Sequence, residues 1–234
     1  MIAILTPTVR LEGLELVDKA LQRQSDKEFM WYICSPEAPN MKTTFVWVKD
    51  NPVKKGNVWT LNEAYNRLFD AARESTFISW QDHTFAKPDT VAKFKAHLKH
   101  EPETFVTAVG NKYQDDSWMV ETWRDPRMRD DQGSFYQCYP NDIEWNLCAG
   151  PCQAIAEVGG FDEYMDKFFG LDAFSVMQRI EEMGGYDFKI DQSIKSYSTE
   201  HKRNVSWDRL NWMAEGRYDE YVAARKKADM WPIL

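Results

Sequence analysis

Residues 56–89 read GNVWTLNEAYNRLFDAARESTFISWQDHTFAKPD, and this stretch decides the architecture. Leu61, Tyr65, Leu68 and Ala72 recur at helical spacing, which predicts an amphipathic helix. Residues 76–80 (TFISW) follow as a short apolar strand, and Asp82 emerges at its end before the helix-starting Pro88. Upstream, residues 2–6 (IAILT) form a strand ending at Pro7, and Leu14, Val17 and Leu21 mark one helical face within 11–24. Residues 28–35 (EFMWYICS) and 44–48 (TFVWV) read as further strands. Downstream, Val91, Phe94 and Leu98 face inward from a helix opened by Pro88, 104–109 is a strand, and 172–183 is a helix presenting Phe174, Met177 and Ile180. This alternation implies right-handed βαβ units: an α/β, Rossmann-like single domain, with a mostly parallel central sheet flanked by helices. Residues 125–141 are polar and aperiodic, and a loop this long is expected to be a lid or binding loop.

Composition narrows the function classes. The 234 residues carry 43% hydrophobic and 28% charged side chains, an ordinary globular balance that argues against disorder. No apolar run approaches the ~20 residues that span a bilayer, and the N-terminal apolar run is too short for a secretory signal, so a cytoplasmic protein is expected. The formal charge of −8 disfavours nucleic acid as a partner. Cys34, Cys138, Cys148 and Cys152 lack metal-ligand spacing and read as reduced thiols. Aromatic residues at 14% exceed what a core of this size requires, and sugar or nucleobase faces suit the surplus.

Ligands of an open parallel sheet sit beyond the carboxyl ends of its strands, which selects residues 6–10, 35–37, Asp50 and 81–84. Asp82 at a strand end either binds a divalent ion that holds phosphate oxygens or caps a turn. His97 and His100 lie on a Lys-rich helix and are expected to be solvated. His201, in STEHKRN beside two cations, is a candidate metal ligand. There is no GxxxxGK[ST], GxGxxG or GxSxG, so glycine-loop phosphate binding and a nucleophile elbow are both absent.

The order of these pieces resembles a GT-A-fold glycosyltransferase of the family-2-like group. ILTPTVR with a helix ending LQRQ is similar to the family's opening strand, Pro-Thr turn and helix. The quoted 56–89 stretch is similar to the segment leading into its DxD metal motif, and AEVGGFDEYMDKFFGLDAFSVMQRIEEMGG to its acceptor segment. The resemblance implies an inverting transferase that moves a sugar from a nucleotide-diphosphate sugar, UDP-sugar first, to a hydroxyl. That hydroxyl belongs to a glycan, lipid-linked glycan or small molecule, with a modified DNA base least expected. Asp82 matches the first DxD acid, but the second falls on Thr84, giving DHT. Asp82 with His201 would hold Mn²⁺ or Mg²⁺. Asp172 matches the catalytic base, with Leu171 in place of the preceding Glu. Read from its residues alone, Asp172 is first a helix N-cap, with Gly170 before it and an amphipathic helix after it.

Donor contacts are expected from Thr6, Pro7, Thr8, Arg10, Glu37, Asn62, Asn66, Gln81 and Asp82, and acceptor contacts from Trp145, Asp162 and Glu163. The two asparagines have a structural alternative, bonding to a neighbouring loop, and Trp145 has core packing. Residues 1–100 would form the donor half, 101–205 the acceptor half and 206–234 a helical tail. Two rivals are a catalytically weak GT-A-like nucleotide- or sugar-binding protein and a nucleotidyl transferase. The second would need a Gly-rich basic opening loop, which TPTVRLEG is not.

Overall fold

The first strand, β1 (Ile2–Pro7), is buried at every position, as expected of a central strand covered on both faces. A computed structural model describes residues 1–201 apart from residues 56, 58, 130, 132 and 168–172, together with all but the side chain of residue 174. In it β1 pairs in parallel with β2 (Phe29–Ser35) and β4 (Thr76–Trp80), while β3 (Phe45–Lys49) lies outside β2. The sheet order is β3-β2-β1-β4-β9-β6-β10-β5, where β5 is Thr84–Ala86, β6 Thr104–Tyr113, β9 Leu147–Pro151 and β10 Asp187–Thr199.

Strand alternation sends Ile2 and Ile4 to one face and Ala3 and Leu5 to the other. On the first face lie α1 (Leu14–Gln22) and α3 (Thr90–His100), through Leu14, Val17, Leu21, Val91, Phe94 and Leu98. On the second lie α2 (Leu61–Ala71), α4 (Cys152–Glu157) and α5 (Phe174–Met183), through Tyr65, Leu68, Ile155, Met177 and Ile180. The stripes read from the sequence face the sheet, buried throughout except that Leu61 and Ala72 are partly exposed and the Phe174 side chain lies outside what is described.

The parallel expectation holds for β3, β2, β1 and β4. Beyond β4 the sheet is mixed. Strand β9 (Leu147–Pro151) runs antiparallel between β4 and β6 (Thr104–Tyr113). Strand β10 (Asp187–Thr199) runs parallel to β6, and β5 (Thr84–Ala86) antiparallel on β10. Gly150 lets β9 fit: a Cβ there would stand 2.5 Å from the Phe105 ring.

The expected lid is partly built into the sheet. Strand β7 (Glu121–Arg124) pairs with β6 just before it, and β8 (Phe135–Gln137), inside it, pairs with β10. Buried Asp125 accepts from the Gly110 N–H at 3.1 Å and is forked by Arg127, which also donates to the Ala108 and Asp142 carbonyls. His97 is likewise not solvated. Its Nε2 lies 2.7 Å from Asp191 Oδ2 and its ring stacks on Phe135, whereas His100 is exposed. All four cysteines are free thiols. Among the described residues no helix is long and apolar enough to cross a membrane. The tail expected at 206–234 lies outside the described residues.

Candidate functional site

Because β1 and β4 are neighbours, the segments leaving their carboxyl ends run side by side. Asp82 is buried there, 6% exposed. Arg10 grips it with two donors, Nε to Oδ2 at 3.0 Å and Nη2 to Oδ1 at 2.6 Å, while Thr8 Oγ1 donates to Oδ2 at 2.5 Å. Such a bidentate guanidinium–carboxylate fork is among the stronger and more directional polar contacts in proteins. Thr6 and Pro7 are buried behind it. Thr6 Oγ1 donates to the Trp80 carbonyl at 2.7 Å and accepts from Trp31 Nε1 at 2.9 Å. Thr6 thus ties β1 to β2 and β4, Pro7 is buried at the end of β1, and Arg10 is the half-buried group that faces outward.

His83 follows in the left-handed region, φ 56°. Only a few per cent of non-glycine residues adopt it, and here two backbone bonds hold it. The His83 N–H donates to the Gly13 carbonyl at 3.1 Å, and its carbonyl accepts from the Thr199 N–H at 3.1 Å. Its ring packs over Gly13 and stacks on His201, with centroids 4.7 Å apart. Crowding by the surrounding protein, with Arg10 adding to it, holds His83 below the ordinary histidine range. His201 keeps an exposed surface, but the protein packed against one side of its ring, followed by the Arg10 charge and His83, lowers it to about 4. Both imidazoles are therefore neutral near pH 7. Among the described residues the buried His83 Nε2 has no hydrogen-bond partner.

The described residues do not fit the expected divalent ion. Both Asp82 oxygens are taken by Arg10 and Thr8. Thr84, where the second acid would stand, is buried and turned toward Ser198, with its Oγ 3.3 Å from Ser198 Oγ. Among the described residues no group of three or more His, Cys, Asp or Glu side chains could hold a metal.

Other candidates separate. Gln81 is half-buried, with Nε2 donating to Tyr65 Oη at 3.3 Å. Glu37 is exposed just past β2, its carbonyl accepting from Ser35 Oγ. Asn62 is fully buried. Its backbone N–H and Nδ2 both donate to Asp166, at 2.8 and 3.0 Å. Asn66 bonds the backbone of Phe161 in both directions and reaches Glu163. The loop-bonding alternative thus holds for both asparagines: both ends of the Asn66 amide and the Asn62 Nδ2 are engaged with residues 161–166, while the buried Asn62 Oδ1 has no partner among the described residues. Trp145 is core rather than a stacking surface: it is 3% exposed, among Tyr65, Phe77 and Phe161. Glu163 is exposed and pairs with Lys54 at 3.7 Å, and Asp162 accepts from the Tyr164 N–H. Asp172 lies outside the described residues.

Sequence reasoning missed two features. Asp166 was unmarked by any motif, yet it caps α2. Burial raises it to about 6 against three hydrogen bonds that lower it. The fork of Arg10 on Asp82 was readable only as opposite charges at the ends of two adjacent strands.

No family model matches the sequence, and no curated protein matches it. Solved structures do. Residues 1–349 of TarS from S. aureus, in complex with UDP, superpose with TM-score 0.60 at 8% identity, over 85% of this chain and 60% of that one. GalNAc-T7 with UDP, GalNAc and Mn²⁺ gives 0.63 at 10% identity, over 87% and 44%. The mannosyltransferase PcManGT from Pyrobaculum calidifontis, with GDP-Man and Mn²⁺, gives 0.60 at 16% identity, over 87% and 58%. The fold is GT-A. At these identities the likeness is one of fold, and the chain spans between 44% and 60% of the length of these three structures. The GT-A sheet places the Arg10–Asp82 fork and the histidine pair together at the carboxyl edge of its strands.

Proposed function

We propose that this chain is a glycosyltransferase that moves a sugar from a nucleotide-diphosphate sugar, UDP-linked in the first instance, to an acceptor hydroxyl with inversion. The observation that carries the reading is the polar cluster of Thr8, Arg10, Asp82, His83 and His201 at the carboxyl edge of a GT-A sheet. Residues 1–100 then serve the donor and 101–205 the acceptor, a hydroxyl on a glycan, lipid-linked glycan or small molecule. The acceptor oxygen attacks the anomeric carbon, its proton passes to the Asp172 carboxylate, and the bond to the diphosphate breaks on the opposite face. The role of Asp172 rests on its match to the family's acceptor segment. Mn²⁺ accompanies two of the structural neighbours, but the described donor set here does not fit it, and no step is routed through it.

Thermal stabilisation by UDP-, GDP- and dTDP-sugars is the first test, since a ligand stabilises by RT ln(1 + [L]/Kd) even when the acceptor is missing. Asp172→Asn is expected to melt normally, bind donor normally and lose about 10²–10⁴-fold in kcat, the usual worth of general base catalysis. Unchanged turnover would remove Asp172 from the mechanism. The non-catalytic binding protein is the second reading, favoured by Leu171 standing before Asp172. It predicts stabilisation without turnover across varied acceptors.

A further inference from the structure

Resting on the transferase reading, we propose that Arg10, held by Asp82, is the cation that meets the donor's diphosphate, so that this site binds and turns over its donor without a divalent ion. Three observations lead there. Asp82 is the lone carboxylate of the DHT segment, and its oxygens already accept three hydrogen bonds, two from one guanidinium. A metal at Asp82 would have to displace that fork. The position where a second acid would recruit the metal holds Thr84, whose hydroxyl points into the sheet at Ser198.

The third observation is the state of Arg10. Its side chain is 24% exposed, against 4% for that of Asp82, so the pair presents the cation outward and buries the anion. Guanidinium has five N–H donors, of which the fork uses two. The other three have no partner among the described residues and are left to face phosphate oxygens, in a plane fixed by the carboxylate behind. Arginine is charged at every working pH and matches phosphate geometry. As the bond between the anomeric carbon and the diphosphate oxygen breaks, the electron pair stays on that oxygen. Its growing charge is what the free Arg10 donors would stabilise.

Calorimetric titration of the full chain with UDP and GDP, and with UMP and GMP, in EDTA and in Mn²⁺, tests this. For the better diphosphate, the wild-type Kd should agree within about 3-fold between the two conditions, and turnover of its sugar should survive EDTA. Arg10→Gln should weaken the diphosphate by roughly 10–100-fold, the scale of a charged hydrogen-bond pair, and leave the monophosphate within about 3-fold. Arg10→Lys, which keeps the charge but not the fork, should fall between. An equal loss for mono- and diphosphate would mean that Arg10 only supports the fold, and would overturn the proposal. Unchanged diphosphate affinity in Arg10→Gln would do the same. So would a more than 10-fold dependence on Mn²⁺, which leaves the transferase reading standing. If no nucleotide binds and no sugar nucleotide is consumed in either condition, both fall together.

Discussion

A methyl group on Gly13 would stand 2.5 Å from His83 Cδ2 and 3.0 Å from Asp82 Cβ. Neither neighbour has room to yield, since Asp82 is gripped by Arg10 and the His83 backbone is bonded on both sides. Gly13→Ala should therefore cost about 1–3 kcal/mol as an overpacked site. It should also misplace the fork and weaken nucleotide binding, which calorimetry beside a melting curve would read. Full affinity in a destabilised protein would show that the cluster's geometry is not what binds. His201 offers a pH signature. With its folded value near 4, its ring signals in NMR should stay flat from pH 8 down to about 5. Between the ordinary 6.5 and 4 the unfolded chain takes the proton first, so this group lowers stability as pH falls through that window. Asp82, Arg10 and His201 were all legible as strand-end residues. The partner of Asp82 was not, because only the register of β1 on β4 brings positions 10 and 82 together.

Helix α2 begins on a carboxylate that comes from far along the chain. Asp166 accepts from the backbone N–H groups of Asn62 and Glu63, the work of an N-cap, while Thr60 at the cap position gives its hydroxyl to Asp50. Burial raises Asp166 to about 6 from 3.8. The folded state thus holds a proton that the unfolded chain has released, and stability falls as pH rises through that window, then levels off. A shift of about 2 units corresponds to about 3 kcal/mol as an upper bound. Asp166→Asn should erase this slope, so the wild-type melting temperature should drop relative to the variant's between pH 4 and 6. Parallel curves would mean that Asp166 does not titrate there. Helices α1, α2, α3 and α5 were legible because their apolar stripes are long, whereas the six-residue α4 was not. Strand β9 was not, being five residues that include Gly150 and Pro151, and neither was the full extent of β10, where a register break between Asp191 and Lys195 interrupts the alternation.

Two hydrophobic layers cover the sheet, and they share its strands residue by residue. Ile2 and Ile4 belong to one, Ala3 and Leu5 to the other. Neither layer can persist once the strands part, so the described part should unfold in one transition. Trp31 and Trp80 report on the first layer and Trp145 on the second. Near-ultraviolet and far-ultraviolet dichroism should give one midpoint, and separated midpoints would show the layers melting independently. The order in which the strands are made carries a different consequence. Strand β9 lies between β4 and β6 but is later in the chain than both. On a ribosome adding about 5–20 residues per second, β1 to β4 stand for seconds with the β4 flank open and its buried face uncovered. Such an edge invites pairing with a neighbouring nascent chain. The step most exposed to aggregation thus comes before Leu147 leaves the exit tunnel, and slowing or accelerating translation across residues 81–146 should change the yield of native protein without altering one contact in it.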